Sequence, residues 1–160
     1  EEALEGGRET VTLAPVRWHR RGALTQYVEG AKYINHAVHN SGALIRRSVT
    51  ALEDGEPVPK SLCAAVSLLA EAVRLLHNEL AAGTEPEGAR ERALRAVSEA
   101  GHAYDEGVGF SGSVVVAQVR TTASDLVRAT GVERVEANRL VRRAVGSHRG
   151  TETGSTAGAR

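Results

Sequence analysis

The chain has 160 residues, with 20 basic and 20 acidic side chains and a net charge of zero. This balance excludes a strong overall field that would draw the protein to nucleic acid. Aromatic residues make up only 3% of the chain, and alanine, valine and leucine dominate its apolar fraction, which favours closely packed helices over a β-sandwich. We therefore expect one all-α domain.

Residues 1–21 are predicted to form a linker or membrane-proximal segment: Glu1 to Glu9 show no helical or strand periodicity, and Val11 to Trp18 form a short extended or interfacial piece. Trp18 lies there among basic residues, with Arg20 and Arg21 directly before the first helix. Tryptophan favours the headgroup region and cations attract anionic lipid, which indicates a membrane surface. A solvated helix entrance, with Trp18 packed on the bundle, is the alternative. The chain lacks methionine even at its first position, so we expect a piece of a longer protein.

A long amphipathic helix is predicted from Gly22 to Leu52. Apolar or small residues recur there at spacings of three and four, with Asn35 as the one polar interruption. Such a stripe is stable only when a partner covers it, so the rest of the chain is expected to supply the partners. The stripe consists of Leu24, Val28, Ala31, Val38, Gly42, Ile45, Val49 and Leu52.

Two further helices are predicted over residues 61–81 and 89–106. The second helix carries the same rhythm, in Leu62, Val66, Leu69, Val73, Leu76 and Leu80. The turn that follows is short, which predicts that the third helix is its antiparallel neighbour. The third helix presents a stripe of mainly small residues, namely Ala93, Val97, Ala100 and Tyr104.

A fourth helix, capped by Ser111 or Ser113, is predicted to reach Thr130, and a fifth to span Glu133 to Val145. Residues 147–160 contain no large apolar side chain, so we expect a disordered tail. The predicted fold is an antiparallel helical bundle of four main helices plus a short C-terminal helix, over residues 22–146.

Cys63 is the sole cysteine, which excludes an internal disulfide and favours a reducing compartment. It lies in an apolar helical run beside Leu62 and Val66. We expect it to be buried as a small apolar residue, because a reactive thiol requires a partly exposed, electropositive site.

Two histidines, His36 and His39, are spaced to share a helix face and, with Asn35 and Asn40 beside them, are weak candidates for metal ligands. No carboxylate lies near them on that face, and the HExxH arrangement is absent. A hydrogen-bonded polar layer is therefore preferred, and neither a metal nor another cofactor is predicted.

Polar residues on the fourth helix form a second candidate site. The set consists of Gln118, Arg120, Thr121, Asp125 and Arg128. Some of these fall toward the core side, where a buried charge persists only if it is paired. Together with Asn35 and His39 they are candidates to line a pocket for a small carboxylate ligand. A structural ion pair with solvated neighbours is the alternative.

The segment from Asp125 to Arg143 imitates a helix-turn-helix motif, with arginines placed to contact phosphates. Glu133 and Glu136 on the second of these helices oppose that role, so no nucleic acid is expected. Phosphate-binding glycine loops, a nucleophile elbow and paired catalytic carboxylates are lacking, and the sequence predicts no enzyme.

The run from Val114 to Gly131, VVVAQVRTTASDLVRATG, resembles the end of the cytoplasmic helical domain of bacterial FUSC proteins. This is the fusaric acid resistance and aromatic acid exporter-like family. The preceding leucine-rich helix and the arginine-rich third helix are similar to that domain too. The resemblance covers about residues 23–145 and rests on no catalytic motif.

The resemblance implies a soluble cytoplasmic assembly or regulatory domain of an integral membrane transporter, without catalysis, at the cytoplasmic face of the bacterial inner membrane. Transport would belong to the membrane-spanning part of the same protein. Further partners that we expect are other copies of the chain and a small aromatic or carboxylate ligand. Two alternatives stay open: a free-standing small-ligand or metal-binding helical bundle, and a DNA-binding regulator.

Overall fold

The computed structural model describes residues 18–152, and the side chains of residues 28–146. The described chain folds into a helical bundle without strands, which confirms the prediction of an all-α fold. Its helices are α1 (Trp18–Glu53), α2 (Lys60–Ala82), α3 (Glu87–Glu106), α4 (Phe110–Ala129) and α5 (Arg134–Glu152).

Helix α4 is the centre of the bundle, because it contacts all four other helices. Helix α3 packs against α2, α4 and α5, whereas the described part of α1 contacts α4 alone. The buried surface of α3 consists largely of alanine, which lets neighbouring backbones approach closely. These fully or almost fully buried alanines are Ala89, Ala93, Ala96, Ala100 and Ala103.

The predicted helices agree with the observed ones except at their ends. Helix α1 begins at Trp18, four residues before the predicted start. Helix α5 runs through Gly146 to Glu152, so the predicted end at Val145 is wrong. A glycine in a helix costs only about 1 kcal/mol and no proline follows, so the helix continues. The tail over residues 153–160 lies outside the described residues.

Helix α1 packs on α4 through a different face from the predicted one. The buried positions recur every seven residues at Gly30, Ala37, Leu44 and Ala51. A Cβ atom at Gly30 would lie 3.2 Å from the carbonyl oxygen of Ala129, which shows how closely the two backbones approach. Small side chains on α1 make this approach sterically feasible.

The stripe that the sequence predicts to be covered is open at its large apolar residues from Val38 onward, whereas Val28, Ala31 and Gly42 are half-buried. We call its described part the α1 seam: residues 28, 31, 35, 38, 42, 45, 49 and 52. Val38 is 67% exposed, Ile45 61% and Leu52 67%. The prediction that the rest of the chain covers this stripe is therefore wrong at Val38, Ile45, Val49 and Leu52, because α4 packs on the neighbouring small-residue face.

The predicted stripes of α2 and α3 are only partly buried. Leu62, Leu69 and Leu76 lie in the core of the protein. Half of the Val73 side chain is exposed, and the predicted α3 position Tyr104 is also exposed. The interhelix core of α2 includes three further buried residues that the predicted stripe omits, Ala65, Leu68 and Ala72.

Cys63 is exposed, so the prediction that it is buried is wrong. Leu62 is buried, and Cys63 follows it around the helix. Successive residues on a helix point about 100° apart, so an apolar run in sequence does not place every member on the core side.

Glutamates from neighbouring segments cap the starts of α3 and α4. The Glu56 carboxylate, in the α1–α2 loop, accepts hydrogen bonds from the backbone N–H groups of Ser111 at 3.0 Å and Gly112 at 2.9 Å. Glu79 on α2 accepts from Gly88 and Ala89 at 3.1 Å each. A capping serine side chain was predicted for α4, but Glu56 satisfies these otherwise unpaired donors instead.

Glycine leaves space for Glu56 at the start of α4. A Cβ atom at Gly109 would clash with the carboxyl group of Glu56. The two hydrogen bonds from the Ser111 and Gly112 backbones hold the pKa of Glu56 below its ordinary value. The cap therefore joins the α1–α2 loop to the first turn of α4.

Changing Glu56 to Gln should lower the melting temperature at pH 7, because a neutral amide is a weaker acceptor for the two N–H groups. The pKa of Glu56 is lowered by folding, so its contribution is present above its unfolded pKa and is lost as pH falls through the folded pKa. The two proteins should therefore converge in acid. Thermal melts from pH 2 to 7 measure this, with the exposed Glu53→Gln as control. An equal difference at every pH would contradict it.

Candidate functional site

A polar cluster lies between α1 and α4, and Asp125 is its buried member. Asp125 is 7% exposed, although it is charged in its ordinary state. Its Oδ2 atom accepts a hydrogen bond from the Asn40 side-chain amide at 2.8 Å. This bond connects the middle of α1 to the last two turns of α4, and it partly compensates for the loss of water around the carboxylate.

Arg128, one turn further along α4, contacts Tyr33 in two ways. Its Nη2 atom donates a hydrogen bond to the Tyr33 hydroxyl at 2.5 Å, and its guanidinium carbon lies 3.9 Å from the centre of the Tyr33 ring. The neighbouring His36 ring makes a T-shaped contact with the Tyr33 ring, with 6.0 Å between ring centroids. A cation over an aromatic ring is stabilising, so Tyr33 anchors the arginine.

We call these five residues, Tyr33, His36, Asn40, Asp125 and Arg128, the interhelix polar cluster. Burial raises the pKa of Asp125, and the nearby His36, Asn40 and Arg128 oppose that rise without cancelling it. The carboxylate is thus harder to ionise in the folded protein than in the unfolded chain. The cluster connects the two helices through the hydrogen bonds from Asn40 to Asp125 and from Arg128 to Tyr33.

The structure brings together some of the residues predicted for a ligand site. Asp125, Arg128 and the weak metal candidate His36 belong to the interhelix polar cluster. Asn35 and His39 are exposed on α1, so that Asn40 rather than Asn35 reaches Asp125. The binding role proposed for these residues stays a prediction.

Gln118 and Thr122 lie on the same side of α4 as Asp125, by their spacing along the helix. The Gln118 Oε1 and Thr122 Oγ1 atoms are buried without a hydrogen-bond partner. A buried polar atom without a partner costs free energy, so these two groups oppose the burial of this face. Gln118, a predicted ligand residue, therefore lies apart from the cluster along the same helix.

Sequence reasoning missed Tyr33, and it named Asn40 only beside the histidines and not as the partner of Asp125. Tyr33 and Asn40 are spaced by seven residues and flank the buried Ala37. This spacing puts them on one side of α1. The signal was present but could be used only once the α4-facing side of α1 was known.

Metal-ligating side chains do not converge in the described part of the chain: no three His, Cys, Asp or Glu residues there could hold an ion together. His36 lies in the polar cluster and His39 is exposed. Trp18, Arg20 and Arg21, predicted to be membrane-proximal, have side chains outside the described residues.

Comparison with known proteins gives a relative whose own role is not described. The chain is 27% identical over 143 residues to an uncharacterized protein of Corynebacterium glutamicum. The alignment includes 86% of this chain and 37% of that relative, so the chain spans little more than a third of the relative's length. No family model matches the chain, and no solved structure matches it.

None of the helices in the described residues is long and apolar enough to cross a bilayer.

The arginines predicted as phosphate contacts lie on α5, where Arg139 pairs with Glu136 at 2.7 Å and Arg142 and Arg143 are exposed. The acidic partner reduces the positive charge of this surface, and the expectation that nucleic acid is not the ligand stays a prediction.

Changing Asp125 to Asn should raise the melting temperature at pH 7. Asparagine keeps an oxygen that can accept from Asn40 and removes a charge that burial disfavours. Because folding raises the pKa of Asp125, the wild-type protein loses stability as pH rises from about 4, the ordinary aspartate value, through the folded pKa. The gain should therefore vanish in acid.

Thermal melts between pH 3 and 8 test this expectation, with Asp54→Asn as the matched control because Asp54 is exposed in the loop after α1. If the Asp125→Asn variant were less stable than wild type at pH 7, Arg128 and His36 would stabilise the carboxylate by more than burial costs.

Proposed function

We propose that this chain is a non-catalytic assembly or regulatory domain of an integral membrane transporter similar to the FUSC family. Its place would be the cytoplasmic face of the bacterial inner membrane, and its partner the membrane-spanning part of the same protein. The observation that carries the assembly role is the open α1 seam, in which Val38, Ile45 and Leu52 are each more than 60% exposed.

An exposed apolar stripe of this length is unfavourable in water. Isolated apolar residues are common on protein surfaces, but contiguous apolar patches mark contacts with other molecules. The described part of α1 is held to the bundle by α4 alone, which leaves its far side accessible to such a contact. A domain whose longest helix exposes large apolar side chains in its described part is suited to assembly.

A non-catalytic role is supported by the interhelix polar cluster. Asp125 is bonded to Asn40, and Arg128 to Tyr33. Groups that are committed to each other in this way join two helices and present no activated base or nucleophile. The small-ligand alternative would require a compound to compete with these contacts.

Subcellular fractionation tests the membrane part of the proposal. An antibody raised against residues 28–146 would follow the protein produced from its own gene in its own host. We expect it in the membrane fraction after a carbonate wash, with digestion by external protease only when the cytoplasmic side is opened. Recovery of all of the protein in the soluble fraction would contradict the proposal.

A further inference from the structure

The α1 seam has the spacing of a coiled coil. Its residues alternate strictly between steps of three and four, which is a repeat of seven, and the same rhythm reaches back to Leu24 in the sequence. With the positions of the repeat lettered from a to g, Val28, Asn35, Gly42 and Val49 occupy a, and Ala31, Val38, Ile45 and Leu52 occupy d. Repeats sustained over three to four heptads are typical of helices that wind around a second helix.

The period identifies the class of partner. A stripe that repeats every 3.5 residues stays in register with another helix through left-handed supercoiling. The described seam from Val28 to Leu52 is about 36 Å long at 1.5 Å per residue. The residues that face α4, such as Ala37 and Leu44, lie at position c of the same repeat, so both contacts can exist together.

Asn35 indicates that the partner helix is α1 of a second copy. In a parallel, in-register pair each a residue meets the same a residue, so the two Asn35 amides can hydrogen-bond to one another. In an antiparallel pair each a residue faces a d residue, and all d residues of the seam are apolar. A parallel pair shifted by one heptad would place Asn35 against Val28 or Gly42. Only the in-register pair gives Asn35 a polar partner.

The flanking charges agree with this arrangement. The e positions hold Lys32, His39 and Arg46, and the g positions hold Ile34, Ser41 and Ser48. Parallel helices bring e of one chain next to g of the other, so the basic row faces uncharged residues. Antiparallel helices bring e next to e, which would place Lys32 of one chain beside Arg46 of the other and repel.

We propose that α1 pairs with α1 of a second copy of this chain as a parallel, in-register two-stranded coiled coil through the α1 seam. The proposal deepens the assembly role and rests on it. β-branched Val28 and Val49 at a, with Leu52 at d, also favour two strands over three or four. The two bundles then lie on the outer sides of the pair, each held by its own α4.

Disulfide trapping of the 160-residue chain tests both orientation and register. Cys63→Ser first removes the exposed native thiol, and single cysteines are then introduced by Val38→Cys and, in a separate protein, by Val49→Cys. In the proposed pair, residue 38 meets residue 38 and residue 49 meets residue 49. Both proteins should form disulfide-linked dimers under mild oxidation, since the matching residues lie in one layer. Arg47→Cys, an exposed position seven residues after Asn40 and away from the α1 seam, is the matched control.

An antiparallel pair has a single crossing point, so residues 38 and 49 cannot both meet their counterparts in it. Trapping at only one of the two positions would overturn the proposal. Trapping at neither position above the Arg47→Cys level would also overturn it, and this is the result expected if a further part of the polypeptide or another protein's helix occupies the seam. Circular dichroism melts of each variant confirm that it is folded.

A second variant addresses the role of Asn35. Asn35→Val should leave the chain dimeric and increase the dimer's resistance to dilution. When Asn35→Val is added to the Val38→Cys and Val49→Cys proteins and the two are mixed, a disulfide between positions 38 and 49 should appear. Such a disulfide requires antiparallel helices, so it would report that the orientation is no longer fixed. An unchanged pattern of trapping would show that Asn35 does not select the register.

Failure of trapping in a protein that fractionates with membranes would refute the pairing alone, whereas trapping in a protein confined to the soluble fraction would refute the membrane role alone.

Discussion

Changing Leu69 to Asp should unfold the protein at room temperature or reduce it to a loosely packed state. Leu69 lies on α2 in the apolar core and is 6% exposed. The change removes a buried side chain and places an unpaired charge in its site, at an expected cost of more than about 4 kcal/mol. Small domains are stable by only about 5 to 15 kcal/mol, so this cost is decisive.

Val73→Asp is the matched control for this change. Val73 is one turn further along the same helix, belongs to the same predicted stripe and is 50% exposed. We expect its urea midpoint to shift only slightly. Equal effects of the two substitutions would show that α2 does not present Leu69 to the core in preference to Val73.

Changing Ala96 to Leu should destabilise the protein by about 1 to 3 kcal/mol, because the larger side chain has no space. Ala96 is fully buried on α3, among alanines against which other helices pack closely. Leucine is nearly as good a helix former, so the loss cannot come from helix propensity. Urea unfolding monitored by circular dichroism measures the free energy of unfolding.

Arg95→Leu introduces the same side chain on the exposed side of α3, one residue away. We expect its free energy of unfolding to stay within about 0.5 kcal/mol of wild type. A neutral effect of Ala96→Leu would mean that the core around α3 has room for a leucine side chain, which would contradict the close packing of helices on this face.

The existence and order of the helices follow from the sequence, because apolar residues at helical spacing and the Gly and Pro breaks between them are local signals. The prediction succeeded best for α2, where Leu62, Leu69 and Leu76 are buried as expected. It also identified Ala93, Val97 and Ala100 as the small-residue face of α3.

The side of α1 that packs on α4 could not be predicted in this way. A search for large apolar residues favours Val38, Ile45 and Leu52, whereas the interface inside the chain uses Gly30, Ala37 and other small residues that permit close approach. Two usable faces exist on one helix, and composition alone does not say which face a given partner takes.

Contacts between residues far apart in sequence also could not be predicted. Glu56 caps α4 across more than fifty residues, and Asn40 reaches Asp125 across more than eighty. Neither pair has a local signature, so the prediction supplied nearby substitutes, Ser111 for the cap and Asn35 for the amide. Asp125 and Arg128 were identified because a charged residue on a core-facing helix side requires a partner.

The measurement that tests the assembly role most directly is sedimentation velocity on the 160-residue chain over a range of concentrations. We expect a species with the mass of two copies of the 16.9 kDa chain. Val38→Lys combined with Ile45→Lys should convert it to a folded monomer, because both positions are exposed within one copy and buried only in the pair. A wild-type chain that stays monomeric at every concentration would contradict the account.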